Sequence, residues 1–243
     1  MVLSATGSTL SVDIWRSGTE GRFQTFAVPR RPNQTVLDVV TEIQRDQDPT
    51  LAYRYACRVG MCGSCAMVVN GRPRWTCRVR VEAAEDGGVL RLEPLRNLTV
   101  VKDLAVVMTD FFDKWRDARG SFEPGAAPAK DIAVVPPASR ERRAVDEGIE
   151  CIGCGVCYSA CDVVAWDKDY LGPAALNRAW TLVNDVRDRG QEARLDAVSG
   201  DAGCTACHTH MSCTNFCPKA IAPTYAIAGL KRAVLRRALG GRR

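Results

Sequence analysis

The sequence has no long apolar stretch. No purely apolar run exceeds five residues, against the roughly 20 that a membrane-spanning helix needs. Any membrane role is therefore expected to come through a partner. The opening, M-V-L-S-A-T-G-S-T, has neither a basic nor an apolar leader region, so no secretory signal is expected. Aromatic residues make up only 7% of the chain, and no basic stripe interleaved with aromatics occurs, which sets nucleic acid aside. Excess charge is small, net +5, and much of it is C-terminal: Lys231, Arg232, Arg236, Arg237, Arg242 and Arg243. That run reads either as a solvated helix face or as a surface for anionic lipid headgroups or an acidic partner. With 46% hydrophobic and 25% charged residues, the composition fits a soluble chain with packed cores. Its 243 residues suit one large or two small domains.

Cysteine, by contrast, is abundant. Twelve cysteines fall in three clumps. Cys57, Cys62 and Cys65 stand in C-R-V-G-M-C-G-S-C, with Cys77 after a gap. Cys151, Cys154, Cys157 and Cys161 stand in C-I-G-C-G-V-C-Y-S-A-C, and Cys204, Cys207, Cys213 and Cys217 in C-T-A-C-H-T-H-M-S-C-T-N-F-C-P. The first spacing is that of plant-type 2Fe–2S clusters. The second is the bacterial spacing, in which the fourth cysteine serves a different cluster. Disulfides fit poorly: a chain of this length can build real cores, and cysteines two residues apart converge more readily on one metal centre. Zinc also uses C-x2-C pairs, but C-x4-C-x2-C and C-x2-C-x2-C-x3-C match its two-plus-two pattern badly. Several iron–sulfur clusters on one chain read as an electron conduit.

Residues 8 to about 100 read as a β-rich module with one helix. Thr9–Trp15 and Phe23–Val28 alternate as strands do. Thr35 to Asp38 resembles a capping box, followed by Val36, Val39, Val40 and Ile43 at helical spacing. Ala66–Val69, the turn Asn70-Gly71 and a strand through Cys77 to Val81 predict a hairpin that returns Cys77 to the first three cysteines. Gly60 and Gly63 suit a loop whose backbone N–H groups face cluster sulfurs. Val101–Arg116 reads as an amphipathic helix whose stripe of Leu104, Val107, Met108, Phe111, Phe112 and Trp115 serves inter-domain packing. Residues 119–148 read as an extended surface segment and 149–243 as helical, with helices starting at Gly172-Pro173 and at Pro223. The expected division is 1–105, 106–148 and 149–243.

The two-cluster ferredoxin rule gives Cys151, Cys154 and Cys157 to one cluster, completed by Cys217. Cys161 then crosses to Cys207 and Cys213. Stepping by three from Cys207, a fourth thiolate is due at 210, where His210 stands. Three thiolates securely hold three irons, so this site is expected to be 3Fe–4S. His210 is the rival ligand and Cys204 a spare thiol.

These runs resemble the iron–sulfur subunit of succinate dehydrogenase and fumarate reductase, respiratory complex II. The segments that carry the resemblance are C-R-V-G-M-C-G-S-C-A-M-V-V-N-G, E-P-L-R-N-L-T-V-V-K-D-L at 93–104, C-I-G-C-G-V-C-Y-S-A-C, L-G-P-A-A-L at 171–176 and C-P-K-A-I at 217–221. The resemblance implies an α+β chain. An N-terminal β-grasp domain of the 2Fe–2S plant-type ferredoxin kind is followed by an all-α bacterial-ferredoxin-like domain. It implies 2Fe–2S, 4Fe–4S and 3Fe–4S clusters, a flavoprotein partner carrying FAD, and a membrane anchor handling quinone, with haem in some anchors. It places the chain peripherally, on the cytoplasmic face of the cell membrane. It also puts Trp166 and His208 near the 3Fe–4S cluster and the quinone headgroup; core packing and a loop hydrogen bond are the plainer readings of the two.

Three residues depart from the family pattern, one of them the extra thiol Cys204. Asp162 follows Cys161 where many members have proline, and Val59 replaces an acidic residue often found in the 2Fe–2S loop. Losing that negative charge favours the reduced cluster. Arg58 and Arg78, beside Cys57 and Cys77, are candidates for the same effect. Two alternatives remain at the level of sequence: an electron-transfer subunit of a soluble flavoenzyme, and a protein merely stapled by its metals.

Overall fold

The computed structural model describes residues 9–125 and 134–240. The opening M-V-L-S-A-T-G-S, part of the Pro- and Ala-rich stretch and the Arg242-Arg243 end lie outside those residues. The chain forms two compact units, dividing between Val107 and Met108.

The first unit is a mixed sheet with a helix across one face. Its strands are β1 (Thr9–Arg16) and β2 (Arg22–Pro29), then β3 (Ala66–Val69) and β4 (Arg72–Trp75), then β5 (Val89–Glu93). Their order in the sheet is β2-β1-β5-β3-β4, with β1 and β5 parallel and the other pairs antiparallel. Helix α1 (Val36–Asp46) lies between the two hairpins in sequence. Alternate residues of β1, Leu10, Val12 and Ile14, are fully buried, as a one-faced strand requires. They meet Val36, Val39, Val40 and Ile43 of α1 in one core with Met67, Val69, Leu90 and Leu92. Each such aliphatic side chain contributes roughly 1.5–3 kcal/mol on burial, so Val40→Asp would break the helix–sheet contact. The expected capping box is present: the Thr35 hydroxyl accepts from the Asp38 N–H at 3.1 Å, and Asp38 accepts from the Thr35 N–H at 3.0 Å.

Two expectations fail in this unit. The strand through Cys77 stops at Trp75, and Thr76–Arg78 forms a 3-10 turn. The chain beyond pairs elsewhere: the Val36 N–H donates to Val79 O at 2.9 Å and the Val81 N–H to Gln34 O at 2.9 Å. The N-terminus of α1 thus draws this segment out of the hairpin. The helix expected over Val101–Arg116 forms only in its second half. Instead β6 (Val100–Lys102) and β7 (Ala105–Val106) form a small hairpin, and α2 begins only at Thr109 and ends at Asp117. Asp103 turns the chain at φ +48°. Its buried carboxylate accepts from the N–H groups of Ser17 (2.8 Å) and Ala52 (2.9 Å) and pairs with Arg16 at 3.2 Å. Those tertiary bonds override the helical periodicity of the apolar residues.

The second unit is helical, as expected. After α2 come α3 (Arg140–Arg143), α4 (Val156–Ser159), α5 (Asp162–Trp166), α6 (Gly172–Val183), α7 (Gln191–Ser199), α8 (Ser212–Asn215) and α9 (Pro223–Ala238). Proline at the first turn starts both α6 and α9, where its missing N–H costs no hydrogen bond. Helix α6 is buried nearly all round and forms the centre on which α2, α7 and α9 pack. Short helix α3 interrupts the stretch expected to be extended. The segment before it is anchored by a buried ion pair. Arg194 and Asp188, both fully buried at their side chains, meet at 2.8 Å, and Arg194 also donates to the carbonyls of Arg119 and Ser121, each at 2.8 Å.

Candidate cluster sites

The first site is the loop between α1 and β3. Arg58, Gly60 and Gly63 all have positive φ, which curls the backbone so that its N–H groups turn inward. The N–H groups of Val59, Met61 and Cys62 approach the Cys57 sulfur at 3.5, 3.2 and 3.3 Å. The Cys57 N–H lies 3.5 Å from the Cys62 sulfur. A Cβ at Gly60 would stand 3.0 Å from both Trp75 and Arg78, so glycine is required there by packing as well as by φ. Cys77 joins from its 3-10 turn, fixed by the Thr76 hydroxyl donating to Cys65 O at 2.8 Å. The backbone N–H of Cys57, helped by Ser64, lowers the Cys62 thiol to about 6. Burial, with Cys65 alongside, raises Cys77 to about 11. The loop therefore sets a half-buried Cys62, whose thiolate is favoured, against a buried Cys77, whose thiolate is disfavoured. Arg58 lays its guanidinium over the Tyr55 ring, 4.7 Å from the centroid, and Val59 is exposed.

The second unit holds two further sites. Cys151, Cys154, Cys157 and Cys217 line one cavity. Cys161, Cys207 and Cys213 line another. Cys217 therefore lines the cavity of the second run, and Cys161 that of the third. Burial pushes the thiols of Cys151, Cys157, Cys161 and Cys213 upward, and in each case neighbouring cysteines add to the shift. Soft sulfur donors gathered away from water suit iron–sulfur clusters, whose binding releases their protons. Among the described residues no three His, Cys, Asp or Glu side chains converge as on a single ion; each set stands around a space. Phe111 of α2 closes the four-cysteine cavity, stacked edge-on to Tyr158 at 5.5 Å. Gly153, at φ +65°, brings the backbone against Phe112.

At the three-cysteine cavity the Thr209 N–H points to the Cys207 sulfur at 3.4 Å. Tyr170 is buried and held neutral by that burial, with the neighbouring Cys207, Cys161 and Cys213 sulfurs adding to the effect. His210 lines this cavity, and its Nδ1 lies 3.5 Å from the Asp162 carboxylate. Trp166 is 70% exposed, which removes the core-packing reading of this residue. Its ring meets His210 edge-on at 5.8 Å, and His208 meets His210 at 6.1 Å. Cys204 is fully buried and lines neither cavity.

Known proteins repeat this arrangement. Residues 11–113 match a 2Fe-2S iron-sulfur cluster binding domain and residues 147–221 a 4Fe-4S dicluster domain. The fumarate reductase iron-sulfur subunit of Mycobacterium tuberculosis is 36% identical over 89% of this chain and 87% of its own length. The succinate dehydrogenase iron-sulfur subunit of Paracoccus denitrificans is 35% identical over 91% and 85%. The chain belongs to the family of succinate dehydrogenase and fumarate reductase iron–sulfur subunits. A chain of the Mycobacterium smegmatis Sdh1 complex superposes with a TM-score of 0.86 at 27% identity, over 96% of this chain and 98% of that one. As a member of that family, the chain is the electron-transfer part of an oxidoreductase complex. No helix among the described residues is long and apolar enough to cross a membrane.

Cysteine spacing does not point to Phe111, Tyr170 or the contact between Asp162 and His210. Their sequence signals are weak, because each depends on which helix a distant residue packs against.

Proposed function

We propose that this chain carries single electrons between a FAD-bearing flavoprotein and a quinone at a membrane-anchor subunit. Cys57, Cys62, Cys65 and Cys77 hold a 2Fe–2S cluster. Cys151, Cys154, Cys157 and Cys217 hold a 4Fe–4S cluster, and Cys161, Cys207 and Cys213 a 3Fe–4S cluster. The exchange of Cys161 and Cys217 between two separate cavities carries this reading. Bound there, the clusters supply one-electron relay, while dicarboxylate chemistry belongs to the partner's flavin.

The chain's own residues tune and insulate. Inward N–H groups at Cys57 favour the more negative, reduced charge state. Phe111 and Tyr158 keep water from the four-cysteine set. Trp166 and His208, exposed beside the three-cysteine set, present an aromatic face and a hydrogen-bonding ring to a quinone headgroup. The chain sits peripherally on the cytoplasmic face of the cell membrane, through its anchor. An EPR-monitored redox titration of the purified complex tests this. Three separately reducible centres, all reached by succinate, are expected. Two centres, or none that succinate reduces, would overturn it.

A further inference from the structure

Helices α3 and α9 border a cavity that the clusters do not use. Its volume is about 440 Å³, within the range of small-ligand pockets. Arg140 and Arg143 line it from α3, Arg232 and Arg236 from α9, and Glu141 is the lone carboxylate of the lining. All four arginines are exposed. Their neighbours on the same helices are compensated: Arg142 pairs with Asp146 at 2.5 Å, and Arg237 with Glu192 at 2.9 Å and Asp196 at 2.8 Å. Among the described residues no carboxylate pairs with the four that face the cavity.

Spacings of three in α3 and four in α9 stack like charges on one face, which disfavours the bare helices. Complementing the helix dipole accounts for Arg236 near the end of α9. It does not account for two more unpaired arginines brought up from α3. The floor is rigid: Trp180 Nε1 donates to Ala144 O at 2.8 Å, and Gly229 packs so closely that a Cβ would stand 2.6 Å from the Trp180 ring. Guanidinium forks on a fixed apolar floor match phosphate oxygens in pairs. We infer that the α3–α9 cavity is a binding site for a phosphate-bearing polyanion, an inorganic or organic diphosphate or an anionic lipid headgroup.

The test is isothermal titration of the purified complex in detergent with two probes, inorganic pyrophosphate and water-soluble dihexanoyl-phosphatidylglycerol. Dihexanoyl-phosphatidylcholine is the neutral control. The variants are Arg140→Gln/Arg143→Gln and Arg232→Gln/Arg236→Gln, with Arg22→Gln of the first unit as control. Saturable binding is expected for at least one anionic probe, weakened roughly tenfold per arginine removed and by added salt. Succinate–quinone turnover stays at the unsubstituted rate. Pyrophosphate binding alone identifies a free diphosphate, and phosphatidylglycerol binding alone a lipid headgroup. Binding of neither, or equal binding by both double variants and Arg22→Gln, overturns the inference.

Discussion

The Thr224 hydroxyl lies 3.5 Å from the Cys213 sulfur and 2.8 Å from the Thr214 hydroxyl. A ligating thiolate only accepts, so Thr224 donates to it and Thr214 donates to Thr224. The Thr224 N–H closes the ring on Thr214 Oγ1 at 3.5 Å. A hydrogen bond to a ligand sulfur favours the reduced cluster. Thr224→Val should therefore lower the potential of the centre at Cys161, Cys207 and Cys213 by roughly 30–60 mV, the equivalent of about 1 kcal/mol. Thr224→Ser should restore it. EPR titration of the complex reads both.

Val59 stands exposed over the first loop, with its N–H 3.5 Å from the Cys57 sulfur. Val59→Asp would put a negative charge beside a centre that becomes more negative on reduction. The 2Fe–2S potential should fall by tens of millivolts, an effect that shrinks as salt rises. Arg58→Gln should move it in the same direction. The shift should be smaller, because the guanidinium already lies over Tyr55.

Asp103 ties the end of β1 to the chain that leads into the Cys57 loop. Asp103→Ala leaves the N–H groups of Ser17 and Ala52 unpaired and removes one of the two carboxylates that hold Arg16, the other being Asp48 at 2.5 Å. A loss of about 2–5 kcal/mol is expected, chiefly from the two N–H groups left without an acceptor. Thermal unfolding followed by cluster absorbance should show the 2Fe–2S centre bleaching at a lower temperature in the variant.

Trp166→Phe and His208→Ala should raise the KM for quinone several-fold while the flavin-side reduction of an artificial acceptor by succinate stays constant. Asp162→Asn weakens the contact to His210 Nδ1 and should alter the quinone KM without removing the cluster. Steady-state assays with paired acceptors separate these effects.

Features fixed by neighbours in sequence were legible before the fold was known. Thr35 and Asp38 cap α1 from three residues apart, Asn70-Gly71 turn the β3–β4 hairpin at positive φ, and the prolines at 173 and 223 start their helices. The cysteine sets are proposed on spacing, which a cluster imposes by its own size. What failed depended on distant partners. The strand stops before Cys77 because Val79 and Val81 bond to residues 34–36. The helix over Val101–Arg116 is broken because Asp103 serves N–H groups more than 50 residues away. Periodicity carries no record of either bond.

The central claim is that eleven of the twelve cysteines divide four, four and three around separate clusters. Iron and acid-labile sulfide analysis of the anaerobically purified complex tests it most directly. About nine irons and ten sulfides per chain are expected, from clusters of two, four and three irons. Zinc in place of iron, or iron at about half that count, would contradict it.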